Sequence, residues 1–585
     1  MEKVIKSKFL YLALSIVLVL FSWHNFNISG NNIIFLAMFI GFFLLNKETI
    51  ENVKKRELII ALIVGFVFSI CEILGNSLII DDTLNNVVSR WLPINILGYW
   101  IIGTETLIIF FRVINYLKAN NKKHAKISEY IDKHHKLFFV ANIVLILMCY
   151  LPFFLRFFPG IITADSIVEI EQAIGASELQ AHHPLIHIFF IEFCLTLGNA
   201  IFHDINAGIA IYSILQMIIM AVVFSIILEY FRRKNVPVLV RFIALLFFMI
   251  YIPNCMFSVT MWKDVLFGVW GLSFVVCTYE LLTNTDEFFS KKRNLVLYVI
   301  VALLFMLGKK NGVYIVLPTL LLIFIMDVKR NWKRYLPVFG SIILIYYILT
   351  FVVFNIIKIP KSPAREMLSI PLQQMARTVN GHREEIDPQL LDELDKFFKK
   401  EKFEEEYTAR VSDNVKILLN EDYYKENKGT FWKLWFKLLA KYPKQYIVAF
   451  LCNSFGYYFI ETRYWVALEN LDSNNFGIER NEIIEEYPFD NLYMENEING
   501  YSRDLIIYDI GLFFWIDIFA LSYFILEKRY REVLLFVPLA LIWLTMIVSP
   551  VYAEFRYGYP LVLSLIVIFG ISTLPKKRGL SLWTK

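Results

Sequence analysis

Apolar runs long enough to cross a bilayer recur along most of this 585-residue chain. A membrane-spanning helix needs ~17–25 mainly apolar residues. Lipid offers no water to satisfy a broken backbone, so such runs fold as helices. Charged residues make up 19% of the sequence, against about a quarter in soluble domains, which leaves little polar surface for a water-soluble body of this length. The fold class that follows is an all-α polytopic membrane protein. The runs fall near 9–23, 32–46, 57–75, 92–117, 137–157, 184–202, 207–230, 238–253, 264–283, 295–308, 313–327, 335–357, 446–460, 505–526, 533–549 and 560–574. The first follows Lys3, Lys6 and Lys8 with no small-x-small cleavage site after it, so it reads as a signal anchor.

Lysine and arginine concentrate in the connections: the N-terminus, 47–57, 118–136, 231–234, 291–293, 329–334, 528–529 and 576–578. The positive-inside rule assigns such loops to the cytoplasm. All of them can lie there if 184–202 is a juxtamembrane or re-entrant helix and 446–460, short at 15 residues, lies laterally. The resulting topology has about 14 crossings of the plasma membrane, with both termini cytoplasmic. A net charge of +5 dispersed in this way speaks to orientation and not to nucleic acid. The six cysteines lie mostly in apolar runs without a CxxC pair, so they read as packing residues.

Four regions are expected. Residues 1–136 form an N-terminal four-helix membrane module, and 137–357 a catalytic membrane core. Residues 358–503 are a polar, amphipathic extracytoplasmic region, and 504–585 are C-terminal helices with a cytoplasmic tail. Region 358–503 carries 25 acids against 20 bases, a mildly acidic balance that fits the outer side. Within it, Phe431-Trp432-Lys433-Leu434-Trp435-Phe436-Lys437 reads as an interfacial amphipathic helix.

The largest polar interruption is Pro159 to His187, PGIITADSIVEIEQAIGASELQAHHPLIH. Ionisable groups at a membrane boundary are costly to hold and mark functional sites. Helical spacing puts Asp165, Glu169 and Gln172 on one face, with Thr163 as N-cap and Gly175 as C-terminal stop. The expected element is a short helix on the outer surface, its polar face towards water or a cavity. The bland alternative is that Asp165 merely favours the positive end of that helix. His182 and His183 are interfacial polar residues or ligands for phosphate or metal. Adjacent histidines cannot share a helix face, which argues against a zinc site from this pair alone.

Three more polar breaks fall on the same side. Thr260-Met261-Trp262-Lys263-Asp264 opens one span; Asp264 is a candidate for holding a cation or positioning an acceptor, and Lys263 for meeting phosphate. The alternative is that the two pair or snorkel. Gly308-Lys309-Lys310-Asn311-Gly312 places two lysines outside, against the positive-inside pattern, which points to an anionic partner or a solvated turn. Glu554-Phe555-Arg556-Tyr557 offers a planar guanidinium suited to bidentate phosphate oxygens, or an aromatic-belt turn.

The order of these features resembles the GT-C superfamily of lipid-linked sugar transferases. They are an outer-loop acid (Asp165), His183-Pro184 at the next helix, a second acid (Asp264), and Lys310-Asn311-Gly312 before a span containing Pro318. With Ile370-Pro371-Leu372-Gln373-Gln374-Met375-Ala376-Arg377, residues 140–570 look similar to a family of polytopic membrane proteins of Gram-positive bacteria of that type. The resemblance implies a GT-C-like fold, with Asp165 as base and Asp264 as second acid. Lys310 matches the lysine of the Lys-Gly turn, although Asn311 intervenes. Arg377 and Arg556 have no superfamily counterpart and are candidates on charge and position only. His182, His183, Trp262, Lys263, Lys309, Lys310, Arg377 and Arg556 form the candidate phosphate and substrate set. Glu169 and Asp264 are candidates for a divalent cation, Mg or Mn, or for acceptor positioning.

The implied function is inverting transfer of a sugar from a polyprenyl-phosphate donor to a cell-envelope polymer or lipid on the outer face of the bilayer. A transporter or flippase for a lipid-linked or anionic precursor is the alternative, disfavoured because no internal repeat is visible. A non-catalytic envelope scaffold is a third reading.

Overall fold

The structure, a computed structural model, describes residues 8–576 apart from 27, 29–31, 461–473, 475, 480, 482 and 485–507. Lys3, Lys6, Lys577 and Arg578 of the basic clusters, and parts of 358–503 and of the run 505–526, lie outside the described residues. Among the described residues there are helices and three isolated β-bridges, but no strand.

The helices follow the apolar runs closely. In order they are α1 Lys8–Asn25, α2 Asn32–Glu51, α3 Lys55–Asp81, α4 Leu92–Ala119, α5 His135–Arg156, a short α6 Ala164–Ala173, α7 Leu185–Phe202 and α8 Ile205–Arg233. Then come α9 Val238–Ile250 and α10 Ile252–Ser258, bent by 47° at their junction, α11 Lys263–Thr283 and α12 Lys292–Gly308. Next are α13 Asn311–Asp327 and α14 Asn331–Ile356. Region 358–503 adds α15 Ser369–His382, α16 Lys428–Lys441 and α17 Pro443–Ser454. Helices α18 Ile510–Leu526, α19 Phe536–Val548 and α20 Phe555–Ser572 complete the set. Among the described residues, ten helices are long and apolar enough to cross a membrane, or eleven if α9 and α10 are one broken span. The most buried are α20 and α11, with 83% and 72% of their apolar windows inside the protein, so these two form the centre of the bundle. Their tight packing uses Gly268 against Tyr559 and Gly271 against Pro560.

Helical hydrogen bonding continues from Asn311 to Phe351 without a break, yet α13 and α14 cannot be one straight rod. Lys310, at the start of α13, donates to Ser362 Oγ, whereas a straight helix would carry Phe351 about 60 Å from Asn311, farther than the residues from Phe351 to Ser362 can reach back at ~3.5 Å each. The return falls near Asp327, whose carboxylate accepts from Asn331 Nδ2 (2.8 Å), Tyr335 OH (2.8 Å) and Arg531 Nη2 (3.0 Å). The two runs read from the sequence are thus a helical hairpin.

Helix α7 is apolar enough to cross, and Gly198 and His187 set it against the first turns of α8. A Cβ on Gly198 would collide with the Gly208 backbone, so glycine is required where the two helices touch. At its other end, His187 already meets Tyr212 at 2.7 Å. The far end of α8 lies instead against α5 and the helix before it, through Arg232–Asp132 (2.9 Å) and Glu229–His135 (3.9 Å). The contacts that tie α7 to α8 thus lie away from the end of α8 that meets α5's first turn, and by length and composition α7 counts among the candidate spans.

Region 358–503 is more than a polar cover. Leu372, Met375, Val379, Phe397, Phe403, Phe431 and Leu434 build a second core, separate from that of the bundle. This corrects the reading of α16 as an interfacial helix: its apolar face, Phe431, Leu434 and Leu438, is spent on this core. Trp435 Nε1 donates to Gln374 Oε1 (3.0 Å), and Phe436 remains exposed. Twelve residues make α17 about 18 Å long, too short for a span. The N-terminal helices also share the main core: Phe68 packs on Trp515 and Phe111 on Tyr523.

Candidate functional site

The site begins with a backbone register. Ile161 and Thr260 form a parallel bridge: Ile161 N donates to Val259 O (2.8 Å) and Met261 N to Ile161 O (3.0 Å). This sets the starts of α6 and α11 side by side, and Ser166 Oγ ties them again by donating to Met261 O (2.7 Å). Thr163 is the extended N-cap of α6, and its N–H donates to Ser166 Oγ (3.1 Å). Gly175 closes the helix at φ +74°, a left-handed conformation that favours glycine.

Asp165 and Asp264 each occupy the second position of their helix, where the helix dipole favours an anion. The starts of α13 and α20 bring Lys309 and Arg556 to the same place. Asp165 Oδ2 accepts from Arg556 Nη1 (2.9 Å) and from Lys263 Nζ (3.1 Å). Lys263 Nζ also lies 3.5 Å from Glu169 Oε1. Lys309 Nζ donates to Asp264 Oδ1 and stands over the Tyr557 ring, 3.5 Å from its centre. Arg556 stacks over Trp262 at 4.7 Å and lies 3.3 Å from Glu554 Oε1. Trp262 is fixed by its indole N–H, which donates to Thr163 Oγ1 (2.6 Å). Asp264 Oδ2 is buried and has no hydrogen-bond partner.

Behind this layer lies a histidine–carboxylate set. Glu169 is buried and bridges His183 Nδ1 and His187 Nδ1, each at 2.8 Å. Tyr212 OH contacts His187 Nε2 (2.7 Å) and donates to Gln216 Oε1 (3.0 Å). Gln216 Nε2 donates to the carbonyls of Phe257, Ser258 and Thr260, which fixes the orientation of its amide.

Burial pushes the Asp165 carboxyl up, but Lys263 and Arg556 outweigh it and hold the group below the usual carboxylate range. The same contest at Glu169 ends the same way: burial is outweighed by His187 and Lys263, with hydrogen bonds from both histidines. Burial draws Lys309 below the ordinary lysine value, against the pull of Asp264. His182 is pushed down to about 4, by burial first and then by His183 and the nearby lysines, with Glu366 opposing.

The structure thus gathers Asp165, Glu169, His183, Trp262, Lys263, Asp264, Lys309 and Arg556. It corrects the surroundings of α6: Glu169 and Gln172 are buried in the protein together with Ile170, while Val168 and Ile174 are exposed. Charge compensation from other helices makes the burial of Glu169 possible. His182 sits beside the cluster, edge-on to His183. Lys310 turns away and donates to Ser362 Oγ. Arg377 is remote from the cluster. It donates to Tyr407 OH (2.9 Å), Gln445 Oε1 (3.2 Å) and Asp82 O (2.8 Å), joining region 358–503 to the end of α3.

His187, Tyr212, Gln216 and Tyr557 complete the site. The Tyr212/Gln216 pair, four residues apart in an apolar helix, was the available signal. The residues do not suit a divalent cation. Asp165 and Asp264 are neutralised by Lys263, Arg556 and Lys309, and those cations would repel a dication. Among the described residues, no group of three or more His, Cys, Asp or Glu is arranged to hold a metal.

The fold and site together define a helical protein fit for a membrane, with a buried ionic cluster where helix starts converge. A family profile matches residues 172–578, and the chain belongs to that family, a family of unknown function (DUF6020). The match includes every cluster residue except Asp165 and Glu169, which precede it. No curated protein and no solved structure matches the chain.

Proposed function

We propose that the protein is a membrane glycosyltransferase of GT-C type, with about 14 crossings and both termini cytoplasmic, acting at the outer face of the plasma membrane. The observation that carries this reading is the convergence of Lys263, Lys309 and Arg556 with two carboxylates at adjoining helix starts. Helix N-termini and guanidinium or ammonium groups are the ordinary means of binding phosphate. Here the protein's own acids occupy those cations until a stronger anion arrives.

A polyprenyl-phosphate sugar enters from the bilayer, and its phosphate takes over Lys263 and Arg556 from Asp165. Asp165 loses the cations that depress its proton affinity and becomes a competent base. It removes the proton of the acceptor hydroxyl. The hydroxyl oxygen bonds to the anomeric carbon as the bond from that carbon to the phosphate oxygen breaks. The electron pair leaves with the lipid phosphate, stabilised by Lys263, Arg556 and Lys309. One displacement inverts the anomeric centre. Protein cations supply the charge stabilisation, so no metal step is needed. The second core of the outer region shapes the acceptor side.

Asp165→Asn, assayed in membranes with donor and acceptor supplied, should lower transfer ~10²–10⁴-fold. Full activity would end the assignment of Asp165 as base. In a strain lacking the protein, mass analysis of lipid-linked sugars should show an accumulated polyprenyl-phosphate sugar. An unchanged lipid pool with unchanged envelope polymers would count against transfer altogether.

A further inference from the structure

The opposite end of α8 holds a second constellation that the transfer reading does not use. The short helix Ala125–Lys133 and the adjoining ends of α5, α8 and α9 enclose a cavity of about 370 Å³. That size falls within the ~300–1,000 Å³ of small-molecule sites. Its walls are apolar, with Ile127, Ile131, Phe138 and Leu245 among them. Leu239 and Phe242 also line it and are 42% and 54% exposed on the outside of the bundle, so the cavity borders the surface that faces lipid.

One wall residue is a cation without an anion. Arg241 is only 8% exposed. Its Nε donates to Val236 O (2.7 Å) and its Nη2 to Ser128 Oγ (2.8 Å), while Nη1 is buried with no acceptor. The acids nearby are already engaged. Glu229 accepts twice from Arg232, at 2.7 Å each, and Asp132 accepts from Arg232 at 2.9 Å. Among the described residues, no carboxylate forms an ion pair with Arg241. A buried charge is ordinarily held by a partner of opposite sign. Here the partner must come from outside the chain, and the apolar walls indicate what it is attached to.

We infer that this cavity binds one anionic phospholipid from the leaflet opposite the Asp165 cluster. An acyl chain lies against Phe138, Phe242 and Leu245, and the phosphate receives a charge-assisted hydrogen bond from Arg241. The inference stands independently of the transfer reading, because it uses neither the same residues nor the same leaflet.

The test is native mass spectrometry and lipid titration of the full chain in mild detergent. Phosphatidylglycerol should be retained at one per chain and bind at least about tenfold tighter than diacylglycerol, which has the acyl chains but no phosphate, the scale of one hydrogen bond to a buried charged group. Arg241→Gln should abolish that preference while leaving the melting profile cooperative. If that variant does not fold, Leu239→Trp, at an exposed wall position, should displace phosphatidylglycerol by filling the cavity. Equal binding of the two lipids by the wild-type chain would overturn the inference. So would a preference kept in Arg241→Gln, or displacement of the lipid by glycerol 3-phosphate, which would mean that the site takes free phosphate.

Discussion

The two ends of α8 carry nearly the same chemistry in different surroundings. At one end Glu169 is held by His183 and His187, with side chains 1–4% exposed. At the other, Glu229 is held by Arg232 and His135, with side chains 18–41% exposed. Contact geometry is equally good or better at the second end, where Arg232 clasps Glu229 through two hydrogen bonds of 2.7 Å. Burial therefore separates them. Water screens the exposed set, so breaking it exposes charges to a solvent that can accommodate them. The buried set has no such reserve, and removing one member leaves the others as uncompensated charges.

The sharpest break in this comparison is Glu169→Gln. It leaves His183, His187 and Lys263 without their shared acid and should cost about 3–5 kcal/mol, read from thermal unfolding in detergent. A loss below about 1 kcal/mol would mean that water reaches this site and that the contrast is false. Tyr212→Phe removes one hydroxyl from the same network, leaving Gln216 Oε1 and His187 Nε2 without that contact. It should cost about 1–3 kcal/mol by the same measurement.

Acid should act in one direction on the buried end. Asp165 and Glu169 have folded-state proton affinities below their ordinary values, so their contribution is complete above the unfolded carboxylate range and is lost as pH falls from that range towards the lower folded values. Burial pushes His182 down to about 4 in the folded chain, below the ordinary histidine value of about 6.5, so the unfolded chain takes up the proton first between those pH values. Stability should decline from pH 6.5 downwards, and His182→Asn should flatten the part above pH 4. A melting temperature that rises on acidification from pH 7 to 4 would contradict the His182 assignment, and one that holds steady below pH 4 would contradict those of Asp165 and Glu169. The smallest effect belongs to the exposed end: Glu229→Gln should change stability by about 0–1 kcal/mol. A cost matching that of Glu169→Gln would show that burial is not what distinguishes the two.

Position along the chain was readable because hydrophobic periodicity is local. The run 137–157 became α5 at His135–Arg156, and 207–230 became α8 at Ile205–Arg233. The four polar breaks were readable for the same reason, since a charge inside an apolar sequence is conspicuous. Direction was not. The spacing that groups Asp165, Glu169 and Gln172 is the same whether their face meets water or the protein, and only the neighbouring helices decide. Arg377, chosen for its charge, proved to be a brace between Tyr407, Gln445 and Asp82. Asp517 drew no notice within its run, yet it lies buried in α18 with neither carboxylate oxygen partnered.

The sequence by itself determined that the chain is a helical bundle suited to a membrane, because a bilayer admits few ways of satisfying a long apolar backbone. It also determined where the bundle is interrupted by ionisable groups. Only the tertiary structure decided which charges meet. Asp165, Lys263, Lys309 and Arg556 are separated by up to 391 positions, and pairing over such distances depends on how α6, α11, α13 and α20 bring their starts together. It likewise decided that Lys309, and not Lys310, faces the cluster. Adjacent residues at a helix start point in different directions, and no property of the sequence distinguishes one lysine from the next.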